Sequence, residues 1–156
     1  MRLHVCAVGR LRTGPERVLI NDYLQRFDRS GRALGLGPVE EHEVEDKKGG
    51  GVAAEAALLS RAIPSGAAVI ALDERGRMLT SPEFAALIAR FRDGGRQDLA
   101  LVIGGADGLA SGLRNDADAA LSFGPMVWPH MLVRVMIAEQ LYRAASILAG
   151  APYHRA

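Results

Sequence analysis

The sequence predicts an α/β fold in which helices flank a mostly parallel sheet. Strand-like and helix-like segments alternate along the chain, which is typical of βαβ units. The segments AAVIAL and LALVIG are continuously apolar, as strands covered on both faces are. The length of 156 residues fits one domain, residues 1–156, with a single substantial core.

The elements follow in order from these patterns. Strands are predicted at residues 3–8, 38–44, 67–72, 99–103 and 119–123. Helices are predicted at residues 15–27, 52–63, 82–91, 109–118 and 132–148. Ser81 can cap the third helix, and Pro82 suits its first position. The segment DKKGGG, residues 46–51, indicates a mobile loop rather than a domain boundary.

The last predicted helix, residues 132–148, is apolar nearly all round. Such a helix is either buried in a larger core or packed against another chain. In a domain of this size we expect a homodimer interface. Arg134 lies at the centre of the more apolar half and needs an acidic or carbonyl partner, as in a structural ion pair. The apolar residues of that half are Val133, Val135, Ile137, Ala138, Leu141, Tyr142, Ala145 and Leu148.

Several common classes of protein are excluded by missing motifs. No glycine fingerprint for dinucleotides follows a strand, and no P-loop or nucleophile elbow is present. The histidines at positions 4, 42, 130 and 154 have no metal-ligand spacing with one another or with Cys6, so no metal is expected. Cys6, the only cysteine, is interpreted as a small core residue rather than a nucleophile. The absence of a disulfide pair and of a membrane-length apolar run favours a cytoplasmic protein without membrane contact.

Three loops are candidates for a ligand site. In open parallel α/β sheets, ligands usually lie beyond the carboxyl ends of the strands. This rule selects DERGR after Leu72, GGADG after Ile103 and GPMVWPH after Phe123. Glycines in such loops let the backbone approach a ligand closely, although the Gly104-Gly105 pair alone also suits a simple tight turn.

Four motifs resemble a known family. VIALDERG, LVIGGADGL, WPHMLVRVMIAEQLYRA and the terminal PYHR occur in the order and spacing of the RlmH family. That family comprises small bacterial methyltransferases of the large ribosomal subunit within the SPOUT superfamily. The resemblance covers essentially the whole chain. The chain departs from the family at Ala106-Asp107, where Pro-Glu is common, and at Met131, where proline is common.

The resemblance implies a fold, an activity and a cofactor. It implies an α/β homodimer with a C-terminal trefoil knot. It implies transfer of a methyl group from S-adenosylmethionine to N3 of a pseudouridine in helix 69 of 23S rRNA, on the assembled ribosome. The methyl-donor pocket would then include Leu72, Gly104, Gly105, Gly124, Pro125, Met126, Val127, Trp128 and Pro129.

The same resemblance suggests which side chains serve catalysis. These are His130 beside the donor loop, Arg143 on the last helix, and Tyr153, His154 and Arg155 in the tail. A base is needed because N3 must lose its proton, and His130 and His154 are both candidates. Structural roles also remain open: His130 as a helix-start residue that donates to the backbone, and Arg143 as an i,i+4 partner of Glu139. Two other functions remain open, a tRNA methyltransferase of the same superfamily and a non-catalytic ribosome-binding module.

Overall fold

The computed structural model describes residues 1–155, and its centre is a five-stranded sheet. The strands are paired in the order β2-β1-β4-β3-β5, and every pairing is parallel. The predicted mostly parallel sheet is therefore confirmed. The strands are β1 Arg2–Val8, β2 Val39–Val44, β3 Ala68–Met78, β4 Asp98–Ile103 and β5 Ala119–Ser122.

Five α-helices cover the two faces of the sheet. They are α1 Pro15–Gly31, α2 Gly51–Ala62, α3 Ser81–Asp93, α4 Ser111–Asp116 and α5 His130–Leu148, and a short 3₁₀ turn, Arg32–Leu34, follows α1. The buried residues of α1, α3 and α5 form one apolar cluster with Leu3 and Val5 of β1. Cys6 and Val8 point to the other face and join residues of α2 and α4. None of the described helices combines the length and apolarity that a membrane span requires.

The start of α3 differs from the prediction. Ser81 is the first helical residue, and Thr80 is the N-cap. The Thr80 hydroxyl accepts a hydrogen bond from the Glu83 amide at 3.2 Å, and the Glu83 carboxylate accepts one from the Thr80 amide at 2.7 Å. The two bonds form a capping box, which satisfies two amides that the helix leaves free. Ser81 instead donates its hydroxyl proton to Gln140 of α5 at 2.8 Å.

Strand β3 is longer than predicted, because the segment DERGR is a bulge within the strand rather than a loop after it. Leu72 and Arg77 both pair with Leu121 of β5, so the four residues between them bulge out of the sheet. A Cβ atom on Gly76 would lie 2.6 Å from the carbonyl carbon of Ala120. Glycine at position 76 therefore lets the strand return to β5 after the bulge.

Two further predictions about local structure were incomplete. Helix α4 is shorter than residues 109–118, because Leu109 packs into the core and the Asp118 carboxylate accepts from the Val69 amide at 2.8 Å. In the predicted loop 46–51, the Asp46 carboxylate accepts from the amides of Lys48 and Gly50 at 3.1 and 2.5 Å. These bonds give the segment a defined turn before α2.

Helix α5 packs against α1 and α3 of its own chain, which accounts for much of its apolar surface. Arg134 is 2% exposed, and its guanidinium lies 2.9 Å from Glu41 and 2.8 Å from Glu43 of β2. The predicted structural ion pair of Arg134 is thus confirmed. The acidic residues of β2 that face α5 are neutralised inside the fold, because Arg17 of α1 also contacts Glu41 at 2.6 Å.

Candidate active site

A cavity of about 700 Å³ lies beside the bulge that follows Leu72 in β3 and at the carboxyl ends of the neighbouring strands β4 and β5. Leu72 of β3 is in register with Ile103 of β4 on one side and with Leu121 of β5 on the other. Because the three strands are adjacent and parallel, the segments that follow them meet at one edge of the sheet. The rule that selected the three candidate loops therefore identifies the place where the structure has its cavity.

Nearly all the residues expected to bind the methyl donor line this cavity. Pro125 is the exception and does not contribute to the wall. His130, expected as a catalytic residue, also lines the cavity. Further residues of the candidate loops DERGR and GGADG, which were not assigned to the donor site individually, also line the cavity: Asp73, Glu74, Arg75, Ala106, Asp107 and Gly108.

Glycines set the shape of the loop after β4. A Cβ atom on Gly104 would lie 2.5 Å from the carbonyl oxygen of Gly108, a distance that no real side chain tolerates. The Gly108 amide donates to the Gly105 carbonyl at 3.0 Å, so the loop folds back on itself. A Cβ atom on Gly105 would lie 3.1 Å from the side chain of Val8. The loop is therefore close-packed, and at Gly104 and Gly105 only a residue without a side chain fits beside the cavity.

The loop after β5 is held by a similar local device. The Ser122 hydroxyl accepts from the Gly124 amide at 3.1 Å and lies 3.2 Å from the Gly124 carbonyl oxygen. Gly124 has a φ of 106°, which favours glycine. The chain then passes the cavity through Trp128 to Pro129, the N-cap of α5. Helix α5 therefore begins at His130, two residues before the predicted start at Leu132, and methionine in place of proline at position 131 leaves that start intact.

His130 is the first residue of α5 and is partly buried beside the loop after β1. A Cβ atom built on Gly9 would lie 3.8 Å from His130 Nε2. Gly9 has a φ of 96°, and its carbonyl oxygen lies 3.3 Å from Arg134 Nη1. The Arg134 ion pair therefore fixes the backbone against which the imidazole packs, one helical turn from His130.

A second polar cluster lies at the other end of α5 and includes most of the C-terminal tail. Arg143 donates from Nε and Nη2 to Glu139 Oε1 at 3.0 and 2.6 Å. The Tyr153 hydroxyl donates to the same oxygen at 2.9 Å, and Arg143 Nη1 lies 3.2 Å from His154 Nδ1. We call Glu139, Arg143, Tyr153 and His154 the tail cluster. The tail is thereby anchored to α5, while Arg155 remains exposed.

Glu139 is the member of this cluster that sequence reasoning missed as a site residue. Its i,i+4 spacing from Arg143 indicates only a routine surface pair. In the structure the carboxylate also accepts from the tail, so it joins the helix to residues ten or more positions later. The tail sequence did contain one indication of this role. A tyrosine whose ring packs against a helix needs a hydrogen-bond partner for its hydroxyl, and Glu139 is that partner.

The cluster restricts the protonation of its members. Partial burial, followed by the hydrogen bond to Glu139, raises the pKa of Tyr153 to about 12, so the phenol stays protonated at neutral pH. The hydrogen bond to Glu139 also raises the pKa of Arg143. Because a guanidinium can only donate, His154 Nδ1 accepts from Arg143, and Nε2 carries the hydrogen of the neutral ring. In this arrangement Tyr153 and His154 offer hydrogen-bond donors rather than bases.

Within one chain the cavity and the tail cluster are separate. His130 lines the cavity, whereas Arg143, Tyr153, His154 and Arg155 do not. Arg143 lies thirteen positions after His130 along α5, which corresponds to about 20 Å of helix. The structure thus divides the expected catalytic residues into two groups at opposite ends of one helix.

Apolar side chains surround the mouth of the cavity. Val127 is 84% exposed and Met126 is 71% exposed, values that are high for residues of this size. Trp128, Met131 and Leu132 continue the exposed surface onto the first turn of α5. An apolar surface of this kind next to a ligand cavity is typical of a protein interface.

A parallel α/β sheet with a backbone-lined cavity at its carboxyl edge defines a class of protein that binds a small organic ligand there. The chain belongs to the SPOUT methyltransferase family: the family model described as "Predicted SPOUT methyltransferase" matches residues 1–154. The resemblance drawn from the four motifs is confirmed by curated relatives. The C-terminal trefoil knot stays a prediction of that resemblance.

Two of these relatives are similar to the chain over almost its whole length. A protein from Roseobacter denitrificans named "Ribosomal RNA large subunit methyltransferase H" is 71% identical over 155 residues, which cover 99% of each chain. A protein of the same name from Ruegeria pomeroyi is 69% identical over 155 residues, again with 99% of each chain covered.

Solved structures with much lower sequence identity share the fold. A probable methylase family protein from Haemophilus influenzae matches with a TM-score of 0.53 and 13% identity, over 99% of this chain and 70% of the other. A probable methyltransferase from Bordetella pertussis matches with a TM-score of 0.51 and 18% identity, over 92% of this chain and 96% of the other. At these identities the likeness concerns the fold alone.

Proposed function

We propose that this protein is an rRNA methyltransferase that transfers a methyl group from S-adenosylmethionine to N3 of a pseudouridine in helix 69 of 23S rRNA. The substrate is the assembled ribosome, which makes the protein cytoplasmic. The names of the full-length relatives support the rRNA part of the proposal. The single observation that carries the methyl-transfer part is the cavity formed by the bulge of β3 and the loops after β4 and β5.

The walls of the cavity suit the proposed donor. Leu72, Ile103 and Leu121 offer apolar surface for a flat base, and the loop after β4 offers backbone polar groups. Asp107 also lines the cavity, and its negative charge favours a cationic ligand, whereas the Asp73 carboxylate is paired with Arg114 at 3.6 Å. When bound, S-adenosylmethionine supplies an activated methyl group on a positively charged sulfur, so the protein mainly has to align the acceptor nitrogen with it.

We assign proton removal from N3 to His130. It is the titratable imidazole on the cavity wall, and its ring is packed against Gly9. Tyr153 stays protonated, and His154 presents an N–H, so neither is suited to accept the proton in the observed arrangement. Replacement of His130 by glutamine should lower the rate and remove the corresponding ionisation from the pH–rate profile. An unchanged profile would exclude His130 as the base.

The tail cluster is proposed to bind the target nucleotide. The Tyr153 ring can stack on an unpaired base, as aromatic side chains do in RNA recognition. Arg143 and His154 Nε2–H can donate to base carbonyls, and both groups stabilise the negative charge that develops when N3 loses its proton. Arg155, which is exposed, can contact a phosphate.

We further propose that the protein is a homodimer in which the tail cluster of one protomer completes the cavity of its partner. About 20 Å of helix separates the two groups within a chain, so one chain does not hold them around one nucleotide. The exposed apolar residues beside the cavity, Met126, Val127, Trp128, Met131 and Leu132, provide surface for such an interface. The symmetry of a dimer would produce two equivalent sites.

The proposed function is tested by incubating the protein with methyl-labelled S-adenosylmethionine and three RNA substrates: intact ribosomes, separated subunits and tRNA. The expected result is label in 23S rRNA of intact ribosomes. A reverse-transcription stop in helix 69 should locate it, because N3 lies on the pairing edge of the base. Label in tRNA alone would support the tRNA methyltransferase instead. Absence of label in all three, with ribosome binding retained, would support a non-catalytic binding module.

A further inference from the structure

A group of metal-ligating side chains lies on β1 and β2, outside the candidate active site. His4 of β1 and His42 of β2 face each other, with 3.0 Å between His4 Nδ1 and His42 Nε2. Glu40 Oε2 lies 3.7 Å from His42 Nε2. The ligand atoms of these three residues all lie within 4.8 Å of one another. Within residues 1–155, these are the three histidine, cysteine, aspartate or glutamate side chains that lie close enough together to hold one metal ion.

Strand pairing, rather than local sequence spacing, creates this group. His4 pairs with Glu40, and Cys6 pairs with His42, in the parallel register of β1 and β2. The two histidines are 38 positions apart, so their spacing along the sequence does not form a metal-binding motif. Because side chains alternate along a strand, His4, Glu40 and His42 are brought to the same face of the sheet.

His4 is held as metal-ligating histidines usually are. Its side chain is 7% exposed, and its Nε2 lies 2.8 Å from Asp98 Oδ1 of β4. Arg2 in turn contacts Asp98 at 2.9 Å and keeps the carboxylate in place. When His4 Nε2 donates to Asp98, the lone pair of the neutral ring is on Nδ1, directed at His42. A carboxylate behind a histidine ligand fixes the tautomer and raises the basicity of the ligating nitrogen.

We propose that His4, His42 and Glu40 bind a divalent transition-metal ion of the zinc class, with water as the fourth ligand. Two imidazole nitrogens and a carboxylate suit such an ion better than magnesium or calcium, which prefer oxygen ligands. Bonds of about 2.0 to 2.1 Å to a tetrahedral zinc ion place two imidazole nitrogens about 3.3 Å apart. The observed 3.0 Å needs to open by only a few tenths of an ångström. The Glu40 side chain is 59% exposed and the His42 side chain 33%, so the ion can enter from solvent.

The proposed ion has a structural rather than a catalytic place in the fold. Strand β2 is at one edge of the sheet, whereas the cavity lies at the strands toward the opposite edge. A metal ion shared by His4, Glu40 and His42 joins the edge strand to β1 and fixes their register. Because it binds the folded chain, it raises the thermal stability, and the increase grows with the logarithm of its free concentration once that concentration exceeds Kd.

Zinc titration of the untagged, chelator-treated protein at about pH 7.5, where imidazoles are mostly neutral, tests the proposal. We expect one equivalent of Zn²⁺ that depends on His42, together with a rise in the unfolding temperature. His42→Ala should weaken that zinc affinity by at least about 100-fold, and Asp98→Asn by about 10- to 100-fold. The matched control is Glu45→Gln, which removes the charge of a glutamate directly after β2 and outside the proposed site. This variant should bind zinc like the wild type. Replacement of Zn²⁺ by Co²⁺ should give the visible absorption of a tetrahedral site in the wild type and not in His42→Ala.

Two results would overturn the proposal. One is the absence of saturable zinc binding to the wild type. The other is unchanged binding and an unchanged Co²⁺ spectrum in a folded His42→Ala variant, since the metal would then lie on other side chains. If His42→Ala fails to fold by circular dichroism, His42→Gln takes its place, because its amide can still donate to His4 Nδ1. Methyl transfer is measured separately, and its loss or retention has no bearing on the zinc result.

Discussion

The two ends of helix α5 carry polar sites that are built in opposite ways. At the amino end, the shape of the cavity depends on the close-packed loop after β4, where Gly104 leaves no room for a Cβ atom. At the carboxyl end, the tail cluster consists of side chains, and Arg143 and Tyr153 both donate to the same carboxylate oxygen of Glu139. The cavity therefore depends on the path of the backbone, whereas the tail cluster depends on a few hydrogen bonds between side chains.

The difference indicates how each site should respond to substitution. A backbone site fails when a side chain forces the loop apart, whatever the chemistry of that side chain. A side-chain cluster loses function in steps, as individual bonds to Glu139 are removed. Helix α5 thus connects a cavity that is sensitive to the volume of substituted side chains with a tail cluster that is sensitive to the loss of hydrogen bonds.

The largest effect is expected from adding a methyl group at the cavity. Gly104→Ala places a Cβ atom 2.5 Å from the Gly108 carbonyl and should weaken S-adenosylmethionine binding by about 100-fold, or about 2.7 kcal/mol. Gly112→Ala is the matched control, because a Cβ atom there meets nothing within 4 Å and its residue lies in α4. Isothermal titration calorimetry measures both affinities. Equal affinities in the two variants would contradict the backbone-built site.

A smaller effect is expected when the tail cluster loses the charge that holds it. Glu139→Gln keeps the size of the side chain but weakens its bonds to Arg143 and Tyr153. We expect the methyl-transfer rate to fall by about tenfold, or about 1.4 kcal/mol, with donor affinity unchanged. Single-turnover kinetics with intact ribosomes measure the rate. A loss of donor affinity instead would show that the two ends of α5 are not independent.

The hydroxyl of Tyr153 should matter less than the carboxylate it contacts. Tyr153→Phe removes one bond to Glu139 but keeps the ring, so we expect about a threefold decrease in rate. Because the pKa of Tyr153 is raised to about 12, the pH–rate profile between about pH 6 and 9 should keep its shape in this variant. Tyr142→Phe, which removes the same atom from the neighbouring ring, serves as the control. A change of profile shape in Tyr153→Phe alone would mean that the phenol titrates during catalysis.

The last prediction concerns stability rather than activity and tests the ion pair between the two sites. Partial burial tends to raise the pKa of Glu43, but the Leu11 amide and the Arg134 guanidinium lower it more, so the net shift is downward. Its contribution to stability is therefore complete above the unfolded-state pKa near 4.5 and is lost as the pH falls through the lower folded-state value. Glu43→Gln should lower the free energy of unfolding by about 1 kcal/mol at neutral pH, and the difference should shrink in acid. Urea unfolding between about pH 3.5 and 7 measures it. A difference that grows in acid would contradict the assigned sign.

The cavity could be predicted from the sequence because its cause is simple. Continuously apolar strands indicate a parallel sheet, and parallel strands send their carboxyl ends to one edge. The bulge at DERGR was missed because nothing local distinguishes a loop from a strand that returns after four residues. Its cause is the contact of Gly76 with the backbone of β5, which lies more than forty positions later.

The tail cluster was predicted only in part. Resemblance supplied Arg143, Tyr153, His154 and Arg155, but the hydrogen bonds that hold two of them, Tyr153 and His154, against α5 depend on the conformation of the tail. The role of Glu139 follows from those bonds alone. Likewise, His4 contacts His42 because of the register between β1 and β2, and the spacing of the two residues along the sequence does not predict this contact.

The central claim is that the cavity of one protomer and the tail cluster of its partner form one active site. It is tested by mixing two impaired variants, Gly104→Ala and a chain lacking residues 153–156, at a donor concentration that saturates the wild type but not Gly104→Ala. In an equal mixture of exchanging subunits, half the dimers are mixed, and each contains one site with an intact cavity and an intact tail. We expect about a quarter of the wild-type methyl-transfer activity to return. If native mass spectrometry shows mixed dimers but the activity equals only the sum of the two variants, the shared site is contradicted.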